Sequence, residues 1–211
     1  MNDALSQVAP IKCAKCNKPM SLPLVCDYCH TLNAAATTTD YFTLLGLPRR
    51  FDIDDRVLQK KYLSLSRYAH PDFCANEEQE VQGLHEQVSA ALNDAYRTLK
   101  DPASRAAYLL ELLGGKSSAE DKSVPDGFLG TMMMMQEEIA DARAAGNKDE
   151  LRRLHSVLET QHDGLLKRLA ELFEDHQQAV VCEAVRADLM AEIRRKVNAV
   201  SYVKKLLDLA E

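Results

Sequence analysis

The stretch KKYLSLSRYAHPDFC, residues 60–74, predicts an amphipathic helix that stops abruptly at a His-Pro-Asp triplet. Pro71 lacks an N–H and keeps the preceding residue out of the helical conformation, so it ends the helix and holds His70 extended. A proline alone would end the helix, and the flanking histidine and aspartate therefore need a further explanation. The apolar stripe of this helix has the i, i+4, i+7, i+11 spacing of one helical face and consists of Leu58, Tyr62, Leu65 and Ala69.

The same helix carries cations on a second face. Arg56, Lys60 and Arg67 lie within about 40° of one another on a helical wheel, away from the apolar stripe. They form a basic ridge that leads to a rigid turn presenting the carboxylate of Asp72. A plain helix stop is the alternative interpretation of the triplet, and the basic ridge argues against it.

Capping signals place the helices around this stretch. Asp40 caps a short helix over DYFTLLG that ends at Gly46. The helix described above spans about 54–69, and Asn76 with Gln79 resembles a capping box that begins a long helix. Asp101-Pro102 supplies an N-cap and an N1 proline for a further helix, which ends at Gly114-Gly115. The buried face expected for the long helix consists of Leu84, Val88, Leu92, Ala95 and Leu99.

The remaining chain reads as a linker followed by a helical bundle. Residues 115–125 are rich in Gly, Ser and charge, which is typical of a domain boundary. Three helical patterns follow, over about 126–145, 147–185 and 188–211, and short connections favour an antiparallel three-helix bundle. The sequence therefore predicts an all-α protein. Its segments are a tetracysteine module with linker (1–36), a helical hairpin with flanking helices (37–114), the linker (115–125) and the bundle (126–211).

Composition excludes several classes of function. The net charge of −6 argues against nucleic acid as the main partner. No stretch approaches the roughly 18 apolar residues that a membrane span needs. The N-terminus MNDALSQVAPIK has the features of neither a secretory signal nor a transit peptide. We expect a bacterial cytoplasmic protein, with the mitochondrial matrix as the alternative.

Four of the six cysteines lie within 17 residues, as Cys13-x-x-Cys16 and Cys26-x-x-Cys29. Two such knuckles bring four thiolates together as a closed tetrahedral set, which predicts a structural zinc site. The same ligands could hold an iron–sulfur cluster instead. His30 is adjacent to Cys29 and is a candidate substitute ligand, although a bystander role is the simpler interpretation.

Taken together, the short helix, the basic helix and the triplet resemble the J-domain family of co-chaperones, which stimulate ATP hydrolysis by DnaK-class chaperones. The resemblance implies that His70, Pro71 and Asp72 form the trigger. It also implies that the chain is not itself an enzyme, because the ATPase site belongs to the partner. The implied docking residues on the basic helix are Arg56, Lys60, Lys61 and Arg67.

Nearly the whole chain resembles the HscB-type co-chaperones of iron–sulfur cluster assembly, including members with an N-terminal tetracysteine module. The resemblance is carried by DYFTLLGLP, HPDF, LNDAYRTLKDPASRAAYLLELLG and FLGTMMMMQEEI. It implies two partners, an HscA-like DnaK-class chaperone and an IscU-type scaffold protein. The implied scaffold-binding residues, called here the bundle face, are Leu129, Met133, Glu137, Asp141 and Tyr202.

The four consecutive methionines 132–135 give a separate reason to expect an exposed surface. At about 100° per residue they span about 300° of a helix, which exceeds the width of a single core stripe. At least one methionine should therefore face solvent or a partner. Two alternatives remain open, a J-domain co-chaperone with another client and a zinc-dependent redox protein with a J-like fold.

Overall fold

The computed structural model describes residues 12–70, 78–178 and 183–211. These residues form seven α-helices and one short 3-10 helix, and their only strand-like pairings are two isolated bridges near the N-terminus. The all-α prediction is confirmed. Among the described residues, no helix is long and apolar enough to cross a membrane. After the 3-10 helix Ala34–Thr37, the helices are α1 (Tyr41–Leu44), α2 (Asp55–Ala69), α3 (Gln79–Lys100), α4 (Pro102–Leu112), α5 (Phe128–Ala144), α6 (Lys148–Gln178) and α7 (Glu183–Ala210).

Packing divides the chain into two compact units. The first contains the described residues up to Arg49 and those of Ile53–Asp101, and the second contains Arg50–Asp52 and the described residues of Pro102–Glu211. Helix α4 lies inside the predicted segment 37–114, but it packs against α6 and α7 in the second unit. The packing boundary therefore follows Asp101.

In the first unit, α2 and α3 form a hairpin, and α1 and the 3-10 helix both pack against α3. Helix α1 begins at the predicted cap, where the Asp40 carboxylate accepts a hydrogen bond from the Thr43 N–H at 3.2 Å. It ends before Gly46, whose φ of +63° is a conformation that favours glycine. The predicted apolar stripe faces the core: Leu58, Leu65 and Ala69 are buried, whereas Tyr62 is half-buried.

The long helix of the hairpin also follows its sequence pattern. Val88, Leu92, Ala95 and Leu99 are buried as predicted, and Leu84 is half-buried. The predicted cap Asn76 lies outside the described residues. As described, α3 begins at Gln79, with Glu78 as an N-cap that makes no side-chain capping bond.

The second unit contains the bundle, in which α5, α6 and α7 pack against one another. The predicted start of the last helix, near Asp188, is wrong because Glu183–Asp188 already belong to α7. Asp188 is exposed within the helix. The core of the bundle is formed by Phe128, Met132, Ile139, Ala142, Leu154, Leu158, Ala199, Val203, Leu206 and Ala210.

Residues 115–125, predicted as a linker from their composition, are bound to α7. Arg194 Nε donates a hydrogen bond to the carbonyl oxygen of Lys116 at 2.8 Å. One turn further along α7, Asn198 Nδ2 donates to the carbonyl oxygens of Asp121 and Ser123, at 3.0 and 2.8 Å. The segment therefore forms a strap on the second unit.

Candidate functional sites

The basic ridge of α2 faces solvent. Arg56, Lys60 and Arg67 are exposed and line one shallow depression, together with Leu63 and Ser64. Within residues 12–70, 78–178 and 183–211, none of these three cations forms an ion pair. Their exposed side chains place this positive charge at the surface of the first unit. Leu63 was not among the predicted docking residues, although a helical wheel places it beside the ridge cations.

Lys61, the fourth implied docking residue, points to a different part of the first unit. Its Nζ donates a hydrogen bond to the carbonyl oxygen of Gly46 at 2.6 Å, and its side chain is half-buried. Since Lys61 does not line the depression, the structure brings together three of the four predicted docking cations. A role for Lys61 in docking stays a prediction.

The triplet begins at the end of α2. His70 is the C-cap of the helix, with φ −65° and ψ 132°, and is exposed. This extended conformation is the one predicted for a residue that precedes proline. Pro71 and Asp72 lie outside the described residues.

The two cysteine knuckles repeat one backbone geometry. In the first, Cys13 N–H donates to Lys18 O and Asn17 N–H donates to Cys13 O, both at 2.9 Å. In the second, Cys26 N–H donates to Thr31 O and His30 N–H donates to Cys26 O, both at 3.0 Å. Asn17 and His30, which follow the second cysteine of each knuckle, both have positive φ, 55° and 57°. The two knuckles therefore have the same backbone turn.

The four thiols converge as a metal site requires. Cys13 Sγ lies 3.5 Å from Cys29 Sγ, and Cys16 Sγ lies 3.6 Å from Cys26 Sγ. All four sulfur atoms lie within 4.8 Å of one another. A tetrahedron with Zn–S bonds of about 2.3 Å has S–S edges of about 3.8 Å, so these residues fit a zinc ion. His30 is not part of the converging set, which agrees with the bystander interpretation.

Electrostatics in the module favour a thiolate at Cys29. The Thr31 hydroxyl, 3.3 Å from Cys29 Sγ, and the Thr31 backbone lower the pKa of Cys29 to about 6. A metal-binding cysteine must lose its proton, and the lowered pKa of Cys29 favours that loss.

The bundle face combines exposed apolar and acidic side chains on α5. Leu129 is 50% exposed, and Met133, Glu137 and Asp141 are exposed on the same helix. Tyr202, on α7, is half-buried and packs edge-on against Phe128, with ring centroids 6.0 Å apart. The prediction that at least one of the four methionines leaves the core is confirmed, because Met133 and Met134 are both largely exposed.

Comparisons with known proteins match both units. Residues 40–108 match the family model of the DnaJ domain, and residues 124–207 match that of the HSCB C-terminal oligomerisation domain. The chain is 35% identical over 163 residues to the co-chaperone protein HscB homolog of Ralstonia nicotianae, covering 76% of this chain and 92% of that protein.

Two solved structures are also similar. The crystal structure of human co-chaperone protein HscB gives a TM-score of 0.78 at 26% identity, covering 95% of this chain and 96% of the human chain. Chaperone HscB from Vibrio cholerae gives a TM-score of 0.62 at 27% identity, covering 81% of this chain and 98% of the Vibrio chain.

The helical hairpin, its basic ridge and the DnaJ match define a J-domain protein with an appended helical bundle. The Ralstonia match is long enough and similar enough to identify the family. The chain belongs to the HscB co-chaperone family.

Proposed function

We propose that this protein stimulates ATP hydrolysis by an HscA-like DnaK-class chaperone and recruits an IscU-type scaffold to it for iron–sulfur cluster assembly and transfer. The observation that carries the first part is the solvent-facing ridge of Arg56, Lys60 and Arg67, which leads along α2 to the exposed His70. Membership of the HscB family supports the second part.

The ridge acts by steering and orientation. Exposed cations that make no ion pair with the described residues lose little when they meet an acidic partner surface, and complementary charge raises the association rate and fixes the docking register. Asp72 follows Pro71 in the sequence and would compete for a cationic switch residue of the chaperone. The chain performs no chemistry in this process, because the nucleotide and the catalytic groups belong to the chaperone.

The bundle face supplies the second contact. Exposed Leu129 and Met133 present apolar surface, and the flexible thioether of methionine adapts to a partner. Glu137 and Asp141 lie one and two turns further along α5 and would select a partner with complementary positive charge. Zinc, bound by the four cysteines, would stabilise the N-terminal module and supply no open coordination position for chemistry.

The trigger assignment is tested by the steady-state ATPase activity of the HscA-like chaperone. Asp72→Asn should abolish stimulation while the helical circular dichroism and scaffold binding stay unchanged. Asp208→Asn, which removes an exposed carboxylate from α7 instead, is the matched control and should stimulate fully. Full stimulation by Asp72→Asn would refute the assignment.

The scaffold assignment is tested by calorimetry. The double variant Met133→Ala, Tyr202→Ala should weaken binding to the IscU-type scaffold by about 2–4 kcal/mol, the range for interface anchors. Val157→Ala removes an exposed apolar side chain of α6 outside the bundle face and should leave affinity unchanged. Unchanged affinity of the double variant would show that the client is bound elsewhere or is another protein.

A further inference from the structure

The tetracysteine module contacts α2 near the trigger. The imidazole ring of His30 stacks on the ring of Tyr68, with centroids 5.6 Å apart and an interplanar angle of 16°. Tyr68 lies in the last turn of α2, two residues before His70. His30, which directly follows Cys29, therefore contacts the end of α2 next to the trigger.

The knuckle fixes the position of this ring. His30 has a φ of 57°, and its N–H donates to Cys26 O at 3.0 Å. Cys29, directly before it, is one of the four converging thiols. A metal held by Cys26 and Cys29 would therefore hold the backbone from which the His30 side chain projects.

A second contact joins the module to the rest of the first unit. Leu22, in the loop between the knuckles, fills the space beside Gly46, where a Cβ would lie 2.7 Å from Leu22 Cδ2. The carbonyl oxygen of Gly46 accepts the hydrogen bond from Lys61 on α2. The module is therefore linked to α2 at two places. Leu22 packs beside Gly46, which accepts the hydrogen bond from Lys61, and His30 stacks on Tyr68 near the trigger.

We infer that His30 is a positioning residue for the trigger: by stacking on Tyr68, it holds the last turn of α2 and thereby makes the presentation of His70 depend on an intact tetracysteine module. This inference rests on the proposed function. Its physical basis is that a helix end with few internal bonds frays, and a stacked aromatic pair opposes that opening.

The test is amide hydrogen exchange on the full-length, zinc-loaded chain. His30→Asn removes the ring but keeps a residue that tolerates positive φ. We expect exchange over residues 66–69 to accelerate by about two- to tenfold, the factor that corresponds to one aromatic pair, with zinc still bound one to one. Tyr68→Phe, which keeps both rings of the stack, should keep the slow exchange. Asn17→His changes the equivalent position of the other knuckle and should have no effect.

Two readouts separate positioning from general destabilisation. Exchange at the beginning of α2, residues 55–59, should stay unchanged in His30→Asn. In the chaperone ATPase assay, the same variant should raise the concentration for half-maximal stimulation by no more than the factor seen in exchange, with the maximum unchanged, because only the competent fraction binds.

Equal exchange of His30→Asn and the unsubstituted chain over residues 66–69, or acceleration spread evenly along α2, would overturn the inference. The outcome is independent of whether the proposed function holds. If the unsubstituted zinc protein fails to stimulate any DnaK-class ATPase, the proposed function fails, whereas the exchange comparison still decides whether His30 holds the end of α2.

Discussion

Met132 is fully buried in the bundle core, whereas its neighbour Met133 exposes 61% of its surface. The two side chains point about 100° apart around α5, so that Met132 faces the core and Met133 faces solvent. Adjacent methionines therefore contribute to different properties of the protein, the first to stability and the second to a surface that is available for binding.

This relationship predicts opposite outcomes for two alanine substitutions. Met132→Ala should lower the free energy of unfolding by about 2–5 kcal/mol, because it leaves a cavity in the core. Met133→Ala should change it by less than about 0.5 kcal/mol, as is usual for surface positions. Urea unfolding followed by circular dichroism measures both values, and similar losses in the two variants would contradict the packing of α5.

The hydrogen bond from Arg194 to the strap predicts that replacing this arginine lowers the stability of the protein. Its side chain is 1% exposed, donates to Lys116 O and lies 3.6 Å from a Glu111 carboxylate oxygen. Arg194→Met should lower the free energy of unfolding by about 1–3 kcal/mol, because the carbonyl oxygen of Lys116 loses its hydrogen-bond donor. It should also expose residues 115–125 to proteolysis. Arg195→Met, at the exposed neighbouring position, is the matched control. Equal cleavage rates in the two variants would show that the arginine does not hold the strap.

The cap of α1 predicts a pH dependence of stability. Burial alone would raise the pKa of Asp40, but hydrogen bonds from Arg49, at 2.7 Å, and from Thr43 outweigh it and lower the pKa below 3.8. A carboxylate with a depressed folded-state pKa stabilises the fold above its unfolded value and loses that contribution as the pH falls through the folded value. The stability difference between the unsubstituted chain and Asp40→Asn should therefore be constant above about pH 5 and shrink below about pH 4.

Urea titrations at a series of pH values measure this difference. A difference that persists unchanged down to pH 2 would show that the carboxylate is not the stabilising group.

The module predicts a defined metal content. The reconstituted chain should bind one zinc per molecule, and cobalt substitution should give the absorption of a tetrahedral thiolate site. Cys26→Ser should lower metal affinity strongly, whereas Cys74→Ser, at a cysteine that stands alone in the sequence, should not. A loaded protein whose four cluster thiols still react with alkylating reagents would contradict a closed site.

Much of this architecture is local and was predicted from the sequence. Asp40, Gly46 and Pro102 mark helix ends, and the apolar stripes of α2 and α3 face the core as their spacing indicates. The cysteine spacing likewise indicated the converging thiols. These features depend on residues within a few turns of one another, so short-range rules suffice.

The features that the sequence analysis did not find depend on contacts between distant segments. The membership of α4 in the second unit, the hydrogen bond from Lys61 to Gly46 and the stack of His30 on Tyr68 have no periodic signature. The start of α7 was misplaced for a different reason. No Gly or Pro in residues 176–188 marks a helix end, and α7 continues through Asp188.

The measurement that tests the central claim most directly is ATP hydrolysis by the HscA-like chaperone as a function of the concentration of this protein. Lys60→Glu with Arg67→Glu reverses two charges of the basic ridge. We predict that this variant raises the half-maximal concentration at least about tenfold, because encounter and docking depend on the ridge charge, while Lys148→Glu with Lys205→Glu, on the second unit, leaves the curve unchanged. A curve for the ridge variant that coincides with that of the unsubstituted protein would contradict the claim that α2 docks on the chaperone.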